Sequence, residues 1–208
     1  MKNFDFVAPF YDMLSSLVFG KAMHSAQTRF LRDIVPGANV LILGGGTGWL
    51  LAELLAINPT CKVWYIEASS KMIKLSKKKV EKTTSKVIFI HGTENSLPEG
   101  IVFDAVITHF FFDLFSTQEC KQIISTIRPT VHANTIWLIT DFVKTTWWHG
   151  AMLEVMYRFF SVVSGIKANS LSEWESVMEQ VGFIEVKSQR TYGKFIKSTL
   201  FSLVARNV

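Results

Sequence analysis

Apolar residues in this chain come mainly in short unbroken runs separated by polar, helix-patterned stretches. Val40-Leu41-Ile42-Leu43 empties into Gly44-Gly45-Gly46-Thr47-Gly48, and Trp49-Leu50-Leu51-Ala52-Glu53-Leu54-Leu55 follows before Asn58-Pro59. Four aliphatic residues bounded by glycines predict a buried parallel strand, and the apolar-rich stretch after Gly48 predicts a helix. Further strand patterns occur at Lys62 to Ile66 ending in Glu67, Val87 to Ile90, Val102 to Thr108 and Thr135 to Thr140. A lysine-rich helix with Met72, Ile73, Leu75 and Val80 on its inner side follows Ser69 or Ser70 as N-cap, and another runs from Thr117 to Ile127 before Pro129. This alternation predicts an α/β fold with a parallel sheet covered on both faces.

The rhythm differs at both ends of the chain. Phe4 to Ile34 carry apolar residues at helical intervals around Gly20 and predict an N-terminal helical cap, closed by Pro36-Gly37. After Asp141, Trp147-Trp148-His149 opens a long apolar helix, Met152 to Val163. Ser172-Glu173-Trp174-Glu175 has the spacing of a capping box for a further helix. Phe183 to Ser188 and Ser198 to Ala205 read as closing strands around Thr191-Tyr192-Gly193-Lys194. No Pro/Gly/Ser-rich linker interrupts the 208 residues, so one domain is expected, with a cap over 1–35 and an inserted lid helix over 143–168.

The glycine cluster is the candidate ligand seat, because a sharp turn into a helix N-terminus lets a ligand approach backbone N–H groups without a Cβ in the way. A dinucleotide fingerprint needs G-x-G-x-x-G, and Trp49 stands where its third glycine should be. The glycines fall instead at Gly44, Gly46 and Gly48. Glu67 closes the next strand about 20 residues beyond the loop, a position suited to accepting hydrogen bonds from a ribose diol; the bland alternative is a surface carboxylate.

The hydrophobic strand with G-x-G-x-G, followed by a strand ending in a carboxylate, resembles the class I S-adenosylmethionine-dependent methyltransferases. Phe6-Val7-Ala8-Pro9-Phe10-Tyr11-Asp12, Leu97-Pro98, Phe103-Asp104-Ala105-Val106 and Gly182-Phe183 extend the resemblance toward the ubiquinone/menaquinone-biosynthesis branch, from about Phe6 to Val204. Ile42 departs from that pattern, which has an acidic residue two places before the first loop glycine. The resemblance implies a Rossmann-like, seven-stranded, mostly parallel sheet with helices on both faces. It implies S-adenosylmethionine as cofactor, with contacts from Gly44, Gly45, Gly46, Gly48, Glu67, Ala68, Met72 and Thr108. It places adenine recognition at Thr93 or Glu94, where an ordinary polar loop is the other reading, and makes Tyr11 a lid residue over the cofactor.

Strand ends supply the candidate chemistry. His109 ends the fourth strand and can accept a proton near neutral pH, or it simply packs beneath Phe110, Phe111 and Phe112. Asp113 either orients His109 or caps the next helix. Trp147 and Trp148 either wall an aromatic or isoprenoid substrate or form lid core, and His149 beside them is the second candidate base. Neither histidine lies in a zinc-type motif, and Cys61 and Cys120 have no metal-type spacing, so no metal is expected.

Composition adjusts this picture in two places. The hydrophobic fraction is 49% and mean hydropathy +0.25, yet no run of about 18 uncharged apolar residues could span a bilayer. The N-terminus lacks a signal-peptide pattern, and a cytoplasmic location is expected. Much of the net charge of +5 comes from Lys71, Lys74, Lys77, Lys78, Lys79 and Lys82 on one helix, without the aromatic interleaving of a nucleic-acid surface. A solvated outer face is the simpler reading, no nucleic-acid partner is expected, and peripheral membrane contact and oligomeric state stay open. The function expected is methyl transfer to a small hydrophobic or aromatic acceptor, quinol-like among the choices. The alternative is a protein on the same fold that binds the cofactor or a partner without catalysis.

Overall fold

A computed structural model describes residues 19–154 and 171–203. The predicted cap residues before 19, Tyr11 among them, lie outside the described residues, as does most of the predicted lid helix from 155 onward. Seven strands form one sheet: β1 (Asn39–Leu43), β2 (Lys62–Glu67), β3 (Lys86–His91), β4 (Phe103–His109), β5 (Val131–Phe142), β6 (Phe183–Thr191) and β7 (Ile196–Leu203). Their order is β3-β2-β1-β4-β5-β7-β6. The first five run parallel, and β7 pairs antiparallel with both β5 and β6. The fold is the seven-stranded, mostly parallel Rossmann-like sheet that the family resemblance implies.

Alternation along β1 divides the core. Leu41 and Leu43 join the layer under α4 (Thr117–Ile127) and α5 (Trp174–Gln180), with Cys120, Ile124, Trp174 and Met178. Val40 and Ile42 join the opposite layer under α2 (Trp49–Ile57), with Leu51, Leu54, Val63 and Tyr65. Burying a leucine or isoleucine side chain contributes about 1.5–3 kcal/mol, so two filled faces explain why the parallel strands read as unbroken apolar runs. Helix α1 (Lys21–Thr28) is the described part of the cap. It docks through its last carbonyls, since Ala26 O accepts from Ser198 Oγ at 2.8 Å and Thr140 Oγ1 at 3.4 Å.

Capping distinguishes two predictions. Ser69 does cap α3 (Ser70–Lys79), its hydroxyl accepting from Met72 N at 3.2 Å. The box expected at Ser172 and Glu175 does not form. Ser172 Oγ donates to the Phe112 carbonyl, and Glu175 instead pairs with buried Lys197 at 2.7 Å, so tertiary partners outbid the local cap. A complete capping box appears at Ser116 and Glu119, ahead of α4. Strand β5 begins at Val131, earlier than its apolar run, because Val131 pairs with Phe103 ahead of a register shift whose extra residues lie in β5, before Ile136 pairs with Ala105.

Candidate cofactor and acceptor site

The sheet reverses its order between β1 and β4, and the loops leaving the carboxyl ends of the strands there are the ligand-binding edge of such folds. The loop after β1 has positive φ at Gly44 (69°), Gly46 (66°) and Gly48 (82°), a backbone region that favours glycine. The sharp turn expected of these glycines is present, but ligand access accounts for only one of them. A Cβ would stand 2.5 Å from the Phe111 ring at Gly44, 2.3 Å from the Tyr65 ring at Gly45 and 2.5 Å from Ser76 at Gly48. These three let protein pack against the loop. Only at Gly46 is the space open, with the Met72 sulfur nearest at 3.9 Å.

Glu67 reaches this loop from β2. It is 6% exposed, and its carboxylate accepts from Gly46 N at 3.0 Å and from Ser69 N at 2.8 Å, tying the glycine turn to the start of α3. Burial pushes its carboxyl above the ordinary value, against the pull of those N–H donors. Each oxygen keeps a further lone-pair direction after one N–H bond. The Ala68 carbonyl lies 3.0 Å from Nε2 of His91, a residue that ends β3 beside Glu67 and that sequence reasoning passed over. Thr93 is exposed and its hydroxyl accepts from Asn95 N, while Glu94 accepts from the Asn95 side chain at 3.0 Å. Thr108 is fully buried and spends its hydroxyl on the Trp137 indole at 2.9 Å, which makes its side chain part of the core.

The edge at β4 and β5 is built from rings. Phe19, Phe110, Phe142 and Phe195 form a cluster with centroid separations of 4.9–6.1 Å along its contacting pairs, bordered by Tyr192 and Trp148. Trp147 does not join it and is 85% exposed. Phe110 has φ 49°, an uncommon state for a bulky residue, fixed by its N–H bond to the Thr140 carbonyl at 2.7 Å. His109 Nε2 lies 3.1 Å from the Gln27 carbonyl. A carbonyl can only accept, so Nε2 carries the proton and Nδ1 is left with a lone pair; Nδ1 is buried and has no partner. Burial lowers the His109 pKa to about 3, which keeps the ring neutral. His149 is different: Nδ1 accepts from Thr145 N at 3.0 Å and Thr146 N at 3.3 Å, and Nε2 donates to the Gly193 carbonyl. That geometry gives it a structural job at the start of the helix over 147–154.

Asp113 neither orients His109 nor caps α4, where Ser116 acts. It sits beside Asp141, whose carboxylate accepts from Phe112 N, Asp113 N and Phe142 N at 2.8–3.2 Å. Burial raises Asp113 to about 7, and burial with the Asp113 charge raises Asp141 strongly. Asp113 Oδ1 has no hydrogen-bond partner.

Residues 40–134 match the family model described as a methyltransferase domain. No curated protein matches the sequence. Solved structures share the fold at low identity. Magnesium protoporphyrin IX methyltransferase from Synechocystis PCC 6803, with bound SAH, aligns at TM-score 0.66 and 19% identity over 88% of this chain and 82% of that one. The DhpI–SAH complex aligns at 0.69 and 14% over 96% and 93%. Mitomycin 7-O-methyltransferase MmcR aligns at 0.70 and 14% over 97% of this chain, which spans 61% of that longer protein. The family model likens residues 40–134 to a methyltransferase domain, and the solved structures share the Rossmann-like fold of the sheet around that segment. Among the described residues no cluster of metal-ligating side chains occurs, and no helix is long and apolar enough to cross a membrane.

Proposed function

We propose that the chain transfers the methyl group of S-adenosylmethionine to a small hydrophobic or aromatic acceptor, with quinols the acceptor class that the sequence resemblance favours. The observation that carries this reading is Glu67, a buried carboxylate one strand over from a glycine turn whose Gly46 leaves open space. Its remaining lone pairs are suited to ribose hydroxyls, Gly46 and Met72 border the same space, and Ala68, next to Glu67, is a further candidate contact. Thr93 and Glu94 at the end of β3 are the candidates for adenine. The acceptor half of the proposal is supported by the phenylalanine cluster at the ends of β4 and β5, which suits a planar apolar molecule. The named acceptors of the similar structures, magnesium protoporphyrin IX and mitomycin, differ from each other, so the choice rests on this chain's own rings.

S-Adenosylmethionine, when bound, supplies a methyl group on a sulfonium that departs without acid assistance. The protein's task is then alignment and exclusion of water, and positioning of this kind is worth up to about 7–11 kcal/mol in favourable intramolecular comparisons. His109, with a lone pair on Nδ1, is the candidate to take a hydrogen bond from an acceptor hydroxyl; its low pKa makes it a weak base. His149, with both nitrogens engaged, holds the lid helix. The test is S-adenosylhomocysteine release with a panel of quinols, phenols and lipids, alongside calorimetry of cofactor binding. Turnover with an apolar phenol or quinol is expected. Absence of cofactor binding at high micromolar concentration, with Glu67→Ala behaving like the parent, refutes the reading.

A further inference from the structure

Two residues before Glu67, and on the same face of β2, stands Tyr65, a fully buried aromatic side chain in the middle of the core. Its ring fills the space that a side chain at Gly45 would need, coming within 2.7 Å of an added Cβ with three of its atoms. Its hydroxyl donates to the Gly46 carbonyl at 2.7 Å. Glu67 holds the N–H of the same residue. The two peptide groups flanking Gly46 are therefore each pinned from β2, one through its hydrogen and the next through its oxygen.

Pinning the carbonyl fixes more than the carbonyl. In a trans peptide the C=O and the following N–H point in opposite directions, so an oxygen held down on Tyr65 turns the Thr47 N–H away from the ring. Gly46 lacks the Cβ that would oppose rotation of this peptide, and the Tyr65 hydroxyl opposes it instead. Were the peptide to turn over, the oxygen would face away from Tyr65. An outward carbonyl repels a carboxylate, whereas an outward N–H attracts one.

We infer that Tyr65 is a positioning residue for the amino-acid end of the cofactor: its hydroxyl keeps the Gly46–Thr47 peptide in the orientation that accepts the ligand's carboxylate. This rests on the cofactor reading above.

Tyr65→Phe keeps the ring and its packing against Phe89, whose centroid is 5.3 Å away, and removes only the hydroxyl. The measurement is calorimetric affinity for S-adenosylhomocysteine, which carries the carboxylate, and for 5′-methylthioadenosine, which lacks it. Loss of one neutral hydrogen bond predicts a Kd for S-adenosylhomocysteine raised about 3- to 10-fold, with methylthioadenosine changed less than about 2-fold. Equal weakening of both ligands means a merely structural tyrosine and overturns the inference, as does no change in either. A parent protein that binds neither ligand removes the cofactor reading itself, an outcome visible before any variant is made.

Discussion

The two edges of the proposed cleft are stabilised by opposite means. At β1 and β2 the Glu67 oxygens, the Tyr65 hydroxyl and the Gly46 N–H and carbonyl each have a partner, and positive φ falls on glycines. At β4 and β5 large rings pack against one another, positive φ falls on Phe110, and two buried atoms, His109 Nδ1 and Asp113 Oδ1, have no partner. A ligand that is the same in every turnover suits a fully satisfied cradle. An unsatisfied, ring-lined edge costs stability, and such costs persist where a site makes use of them.

The largest expected effect tests whether the first edge is as tightly built as it looks. Gly48→Ala places a methyl 2.7 Å from the Ser76 backbone at φ 82°, combining left-handed strain with overpacking, and should destabilise the protein by about 2–5 kcal/mol in thermal or denaturant unfolding. Gly46→Ala, at φ 66° but with open space, should cost only the strain of about 1–2 kcal/mol. Equal losses for the two variants would erase the distinction between packing glycines and the ligand-facing one. Next in size is Glu67→Ala, which strands the Gly46 and Ser69 N–H groups and removes the proposed ribose contact. Cofactor affinity should fall about 30- to 150-fold, corresponding to about 2–3 kcal/mol for a charged hydrogen-bonding group. A change below about 3-fold in calorimetry would detach Glu67 from the ligand.

The acceptor edge has its own signature in pH. Asp113 ionises near 3.8 in an unfolded chain and is held protonated to about 7 in the folded one, so the folded state binds more protons across that window. Stability therefore falls as pH rises from 4 toward about 7, and the loss is complete above the folded value. His109 acts in the other direction: its folded pKa of about 3 lies below the ordinary 6.5, so its contribution is present above 6.5 and is lost as pH falls toward 3. Asp113→Asn should flatten the decline between pH 5 and 8 that the parent shows in thermal unfolding. An unchanged slope would mean that Asp113 does not supply the titration.

How far these edges could be read from sequence follows from their construction. The glycine turn, the strand before it and the Glu67 strand were legible because apolar run length, glycine spacing and a terminal carboxylate are all local signals. Tyr65 was not, since a tyrosine inside an apolar strand reads as core, and only its reach to a loop 19 residues earlier in the chain gives it a further role. The Asp113–Asp141 pair joins the turn after β4 to the end of β5, 28 residues apart, and sequence alone suggested a local cap for Asp113. Ser172 failed as a cap for the same reason: a long-range partner, the Phe112 carbonyl, competes with the helix terminus. Local chemistry was readable, and contacts made by the topology were not.

The smallest expected effect concerns the contact between the cap and the cofactor edge. His24 on α1 stacks on Trp49, the first residue of α2, with ring centroids 3.8 Å apart and planes within 9°. Trp49 stands directly after the glycine turn, so the stack ties the cap helix to the loop. Among the described residues α1 is also held by the buried Met23 and Ala26 side chains and by carbonyl acceptors, Gln27 O facing His109 and Ala26 O receiving Ser198 and Thr140. A partly exposed aromatic pair contributes about 0.5–1.5 kcal/mol beyond area burial, so His24→Ala should lower stability by that order. If the stack helps hold the cap over the cofactor, the variant should also speed amide exchange in α1 while leaving β4 and β5 unchanged. Faster exchange at β4 and β5 as well would show that the cap stabilises both edges together, and the division between them would have to be redrawn.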